Sequence, residues 1–120
     1  MVYVRGFLLA VPEDKKEAYR QMAEDAAGFF RKHGAIEIME AWEDDVRDGK
    51  HTDFRMAVKA EPNEKIVFSW IIWPDKATAG AAEQNMQNDP DMKMPEGGMP
   101  FDGKRMIFGG FTPIFTMGRD

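Results

Sequence analysis

A chain of 120 residues, 43% of them hydrophobic and 31% charged, has the size and balance of one folded domain spanning 1–120 and not of a disordered segment. Its net charge of −5 excludes the broad basic face on which phosphate-driven nucleic-acid binding depends. With no cysteine, disulfides and thiolate metal sites are excluded too, which suits a reducing cytoplasm, the location expected here.

The first apolar run, Phe7-Leu8-Leu9-Ala10-Val11, lacks the basic lead and the length of a secretory leader. No segment has the length of a membrane span, so no membrane partner is expected. From Val2 to Val11 both alternating stripes are largely apolar, which predicts a strand covered on both faces and therefore central in its sheet. Asp14 and Glu17 have the spacing of a capping box. Tyr19, Met22, Ala23, Ala26, Phe29 and Phe30 then recur at helical spacing. Gly34 supplies the left-handed position after the helix, with His33 in its last turn. Residues 35–43 read as a strand on which Glu40 shares a face with Ile36, Ile38 and Trp42. Residues 44–53 are a polar loop, 54–60 are expected as another strand, and Glu61-Pro62-Asn63-Glu64 is a turn by composition.

Residues 65–73, with Ile66, Val67, Phe68, Trp70, Ile71, Ile72 and Trp73, form the clearest strand. Asp75 then N-caps an Ala-rich helix running to about Asn88. The connection 89–104 carries two prolines in its first half, a Gly97-Gly98 pair and three methionines, and its length marks it as a lid or a disordered segment. The last strand is expected over 105–111, continuing past Pro113 to Ile114, Phe115 and Met117, and Gly109-Gly110 within it predict a close approach or a bulge.

The order strand, helix, strands, helix, strand is that of an α+β, ferredoxin-like split βαβ fold with an antiparallel sheet. Two helices cover one face of such a sheet. Strands apolar on both sides leave the second face to be buried, and a homodimer formed through that face is the expected solution; a monomer covered by its own long loop is the alternative.

Several stretches carry a resemblance to a known family. They are Gly6-Phe7 with Val11-Pro12, Glu17-Ala18-Tyr19-Arg20, His33-Gly34-Ala35, Ala57-Val58-Lys59-Ala60, Val67-Phe68-Ser69-Trp70, Asp89-Pro90, Met99-Pro100-Phe101-Asp102-Gly103-Lys104-Arg105-Met106 and Gly109-Gly110-Phe111. On these the chain resembles the YbaA-like bacterial family, a domain of unknown function within the dimeric α+β barrel superfamily. The resemblance implies a ferredoxin-like subunit whose sheet pairs with a partner's to enclose a barrel. It implies no established activity; the wider superfamily holds cofactor-free monooxygenases, lyases, haem-handling enzymes and ligand sensors, and fold analogy does not choose among them. Arg5 stands where an acidic residue is the more usual expectation.

Polar residues on apolar stripes are the candidate site. Arg5 lies between Tyr3 and Phe7, Glu40 between Ile38 and Trp42, and Ser69 between Val67 and Ile71, while Arg105 shares its parity with Ile107, Gly109 and Phe111. Glu40, desolvated in a cavity, would serve as a general acid or base. Arg105 with Lys104 beside it would hold an anionic ligand. The bland counterpart is a structural ion pair of Arg5 or Arg105 with Glu40. Trp42, Trp70 and Trp73 are either the wall of an aromatic pocket or simply core.

His33 and His51, the only histidines, have no ligand spacing, and no metal or other cofactor is expected; His33 is a candidate acid/base and otherwise a helix-end group. Two functions follow. The first is a homodimer that binds a small organic ligand, anionic or aromatic, in its barrel cavity. The alternative is a cofactor-free enzyme of the monooxygenase or lyase type using Glu40 or His33.

Overall fold

A computed structural model describes residues 1–95 and 97–118. Its strands are β1 (Tyr3–Pro12), β2 (Glu37–Trp42), β3 (Glu64–Trp73) and β4 (Ile107–Phe111), and its helices are α1 (Lys16–Lys32), α2 (Phe54–Ala57) and α3 (Lys76–Gln87). The sheet order is β2-β3-β1-β4, with every neighbouring pair antiparallel. This is the α+β ferredoxin-like arrangement anticipated from the element order.

β1 and β3, apolar on both stripes, take the two central places. They pair along their whole length from Tyr3 opposite Trp73 to Pro12 opposite Glu64. α1 and α3 lie on the face that carries Leu9, Val11, Val67, Ile71 and Trp73. The small residues of α3 explain its closeness to the sheet, since Ala79 and Ala82 are buried in the cluster with Tyr3, Ile71 and Trp73. Asp75 caps this helix as predicted, accepting a hydrogen bond from the Thr78 amide at 2.7 Å. Gly34 takes a φ of 110° just after α1, where a Cβ would press on the Thr78 methyl.

Four expectations are corrected. The capping box does not form. Pro12 leads into a 3₁₀ turn over Glu13–Lys15, so Asp14 is already inside a turn, the helix start has no side-chain cap, and Glu17 pairs instead with Arg20 at 2.6 Å. The strand expected over 54–60 is the single helical turn α2. Asp53 caps it through the Met56 amide at 2.7 Å, and the turn drops Val58 into the core with Ala10 and Ile66. A short apolar run reads alike as strand or helix, and tertiary packing chose.

The last strand begins at Ile107, not 105. Asp102 accepts from the Lys104 amide at 3.0 Å and holds Gly103–Arg105 in a 3₁₀ turn, so Arg105 is not on a sheet face. Nor does the strand continue past Phe111; residues 112–118 are outside the sheet. Within β4 the glycine pair forms no bulge. Gly110 is required because a Cβ there would overlap the Tyr3 hydroxyl and crowd the Arg5 guanidinium.

The face of the sheet away from α1 and α3 is covered only at one end. There Val46, Val58 and Ala60 pack on Leu8, Ala10 and Ile66. The other end is bare. Met39, Phe68, Ile107 and Phe111 are all exposed, and an open groove of about 400 Å³ lies over Val4, Gly6, Trp70 and Ile72. The long connection after α3 does not close it, since its Met99 and Phe101 are on the helix side of the sheet.

Candidate ligand pocket

One row of side chains crosses the helix-covered face through all four strands: Glu40 on β2, Ser69 on β3, Phe7 on β1 and Phe108 on β4. The pleat puts alternate residues on one face, so the two polar members of this row point into the layer between sheet and α1. Tyr19, on the buried stripe of α1, reaches the same point from above. Its hydroxyl donates to Glu40 Oε1 at 2.7 Å. Ser69 is buried and its hydroxyl donates to the same carboxylate. A buried phenol and a buried hydroxyl each need a partner, and Glu40 serves both.

These groups border a pocket of about 200 Å³ whose walls are otherwise apolar, with Phe7, Met22, Ala26 and Ile38 on the helix–sheet sides. The connection between α3 and β4 closes the remaining side with Met99, Phe101 and Met106. Phe101 meets the Tyr19 ring edge-on, centroids 5.8 Å apart.

Burial raises the Glu40 carboxyl above the ordinary carboxylate range, and the hydrogen bonds from Tyr19 and Ser69 hold that rise back. Glu40 as a residue is exposed, so its desolvation is that of a pocket mouth and not of a sealed interior. Tyr19 is pushed far above a normal phenol, first by burial and then by the negative charge and hydrogen bond of Glu40. It therefore remains a proton donor, and the proton-accepting group of the pocket is Glu40.

The other residues singled out from the sequence lie elsewhere. Trp42 is on the same face, in the cluster with Leu9, Val11, Tyr19 and Val67, and Lys16 stands 5.4 Å over its ring. Arg5 pairs with Glu83 of α3 at 2.8 Å. Trp73 is core, whereas Trp70 is on the opposite face, where its indole donates to Glu37. His33 is held outside the pocket by Asp89, Nε2 to Oδ2 at 2.7 Å, and by the edge of Phe29.

Arg105 makes a two-pronged contact with the buried Glu64, both bonds 2.7 Å, and donates also to Asp102 and to the Lys59 carbonyl. Its pairing is with Glu64, not Glu40, and carboxylates of the chain itself occupy the fork expected for a ligand. Lys104 is exposed beside it and does not line the pocket. Among the described residues no three His, Asp or Glu side chains come together as a metal site.

Sequence reasoning missed Tyr19 as the partner of Glu40, and Phe101 as pocket wall; Met99, which lines the same wall, lies in the connection that it read as a lid or a disordered segment. A tyrosine on a buried stripe was the available signal for the first, because its hydroxyl has to find a partner. No local pattern announced the second.

The fold and pocket describe a small α+β, ferredoxin-like protein with one polar cluster under its first helix. Residues 2–103 match the family described as "Protein of unknown function (DUF1428)". The chain is 60% identical over 114 residues to the proteins described as "Uncharacterized protein YbaA" from Escherichia coli (strain K12) and from Shigella flexneri, covering 95% of this chain and 97% of each relative. The chain belongs to this YbaA-like, DUF1428 family. Among solved structures a de novo designed protein, Foldit4, aligns over 94% of this chain and 99% of its own at 12% identity, with a TM-score of 0.44.

Proposed function

We propose that the chain is a small-molecule-binding protein that works as a homodimer, with one ligand held in each subunit between α1 and the sheet. The observation that carries this reading is a mostly apolar pocket into which a single carboxylate and two hydroxyls converge, the usual make-up of a ligand site. Its volume of about 200 Å³ suits a compact ligand of roughly one ring, since a dry cavity of ~150 Å³ holds benzene. The carboxylate disfavours an anionic ligand, and Arg105, the cation proposed to bind one, is engaged by Glu64 and Asp102. The ligand is therefore a neutral or cationic aromatic or aliphatic molecule that donates a hydrogen bond to Glu40. The homodimer is supported by the bare apolar end of the second sheet face.

Native mass spectrometry of the purified protein tests both parts. The expected spectrum is that of a dimer with a small molecule bound, and Glu40→Gln or the pocket-filling Ala26→Phe loses the adduct while keeping the dimer. A ligand retained by both variants would rule the pocket out.

A second reading is a cofactor-free enzyme in which Glu40 takes a proton from the bound substrate. The raised Glu40 carboxyl favours it, because a base poised nearer neutrality is a better catalyst. His33, held outside the pocket by Asp89, leaves the acid/base role to Glu40. Turnover would then rise with pH through a raised carboxyl pKa and vanish in Glu40→Gln, whereas a binding protein shows saturation with no product.

A further inference from the structure

The chain leaves β4 at Phe111 and continues as Thr112-Pro113-Ile114-Phe115-Thr116-Met117, a run without a charged residue. Ile114, Phe115 and Met117 are 100%, 82% and 89% exposed. A single exposed apolar side chain is ordinary. Three large ones within four residues, adjoining an apolar sheet face, are not. The segment also has two sides. Thr112, Pro113 and Thr116 line the groove over the bare end of the sheet, while Ile114, Phe115 and Met117 point away from it into solvent.

We propose that Thr112–Met117 is a dimerisation arm whose Ile114, Phe115 and Met117 pack on the bare sheet face of a second copy of the chain. The proposal rests on the homodimer reading and adds what holds it together. The occupant is a second copy because one chain offers both halves of the contact side by side. A two-fold axis then brings each arm to the other subunit's face and covers both apolar surfaces at once.

The chemistry matches. The arm carries no charge, and the carboxylate nearest the bare face, Glu37, accepts the indole N–H of Trp70 at 2.9 Å. The area argues the same way. Only one end of the four-stranded face is bare, and it is smaller than the ~800 Å² per partner that specific interfaces bury. The three large apolar side chains of the arm, all exposed, add to that area. A membrane surface is disfavoured, since the arm and the bare face supply no lysine or arginine for anionic lipid and the chain carries a net charge of −5. The same contact covers the bare-face side chains of β4, a short edge strand on which Ile107 and Phe111 are exposed.

The experiment compares full-length wild type with the triple variant Ile114→Ser, Phe115→Ser, Met117→Ser in native mass spectrometry and light scattering across a concentration series. The substituted side chains are exposed, so far-UV circular dichroism should be unchanged. The expected result is a dimer dissociation constant weakened on the order of 100-fold or more. A wild-type dimer whose dissociation constant the triple variant leaves unchanged overturns the arm but keeps the dimer. A wild type that is monomeric at all concentrations overturns both. A photo-crosslinking residue at 115, in dimers mixed from light and heavy isotope forms, should link to the partner's sheet face; links only within one chain would also overturn the arm.

Discussion

Glu40 and Glu64 are carboxylates one strand apart with opposite electrostatic situations. Glu64 starts β3 and is buried, and its negative charge is tolerable only because the Arg105 guanidinium grips both oxygens and holds the carboxyl below its usual range. Replacing Arg105 by Ala leaves that charge buried and unpaired. With the arginine partly exposed and screened, the loss should be about 2–4 kcal/mol in denaturant unfolding, and Arg105→Lys should recover only part of it because an ammonium cannot make the fork.

Glu40 runs the other way. Its folded-state pKa lies above the ordinary 4.5, so the ionised form costs stability. That cost is absent below the unfolded value and complete once pH passes the folded one. The stability of Glu40→Gln relative to wild type should therefore grow from pH 4 to neutrality, measured as the urea midpoint of each at several pH values. An unchanging difference would mean that the hydrogen bonds from Tyr19 and Ser69 cancel the desolvation.

At the scale of elements, the connection from α3 to β4 matters because it forms one wall of the pocket, and ion pairs fix both its ends. Arg105, Glu64 and Asp102 hold the end near β4. At the other end Asp89 binds Lys32 at 2.9 Å and His33 at 2.7 Å, joining the connection to the last turn of α1. The Lys32 ammonium, then the Asp91 amide, then His33 draw the Asp89 carboxyl down to about 2 from its usual 3.8. A depressed carboxyl contributes stability that is complete above the unfolded value and is lost as pH falls through the folded one. The expected window is thus pH 4 to 2. Over it wild type should lose stability that Asp89→Asn, weaker at neutral pH, does not lose, as followed by thermal unfolding at pH 7, 4 and 2.5.

The elements also show where local reading stops. The spacing in α1 and the double apolar stripes of β1 and β3 were legible because periodicity reports a buried face directly. The Phe54–Ala57 turn was not, since four residues are too few to establish a period. Arg105 looked like a strand residue until Asp102 and Glu64, 3 and 41 positions away, proved to own its side chain.

For the whole molecule, the bare end of the sheet and the segment after Phe111 both leave large apolar side chains unburied. If they meet in a dimer, folding and association are linked, and the unfolding temperature must rise with protein concentration. Scanning calorimetry over a hundred-fold range in concentration should show this in the wild type. A constant midpoint would indicate that the subunit is stable without a partner.

By itself the sequence determined the order of the main strands and of the two long helices, the central strands, the helix-facing stripes, the surplus of apolar surface and, with Arg5, Glu40 and Ser69, polar residues that interrupt it. All of these are local patterns, set by the periods of strand and helix. Only the tertiary structure decided which face Glu40 joins, that Tyr19 and Ser69 meet it there, and that Arg105 belongs to Glu64. Those contacts bring together residues 21 to 41 positions apart, and their pairing depends on strand register and helix placement, which no single stretch of chain encodes.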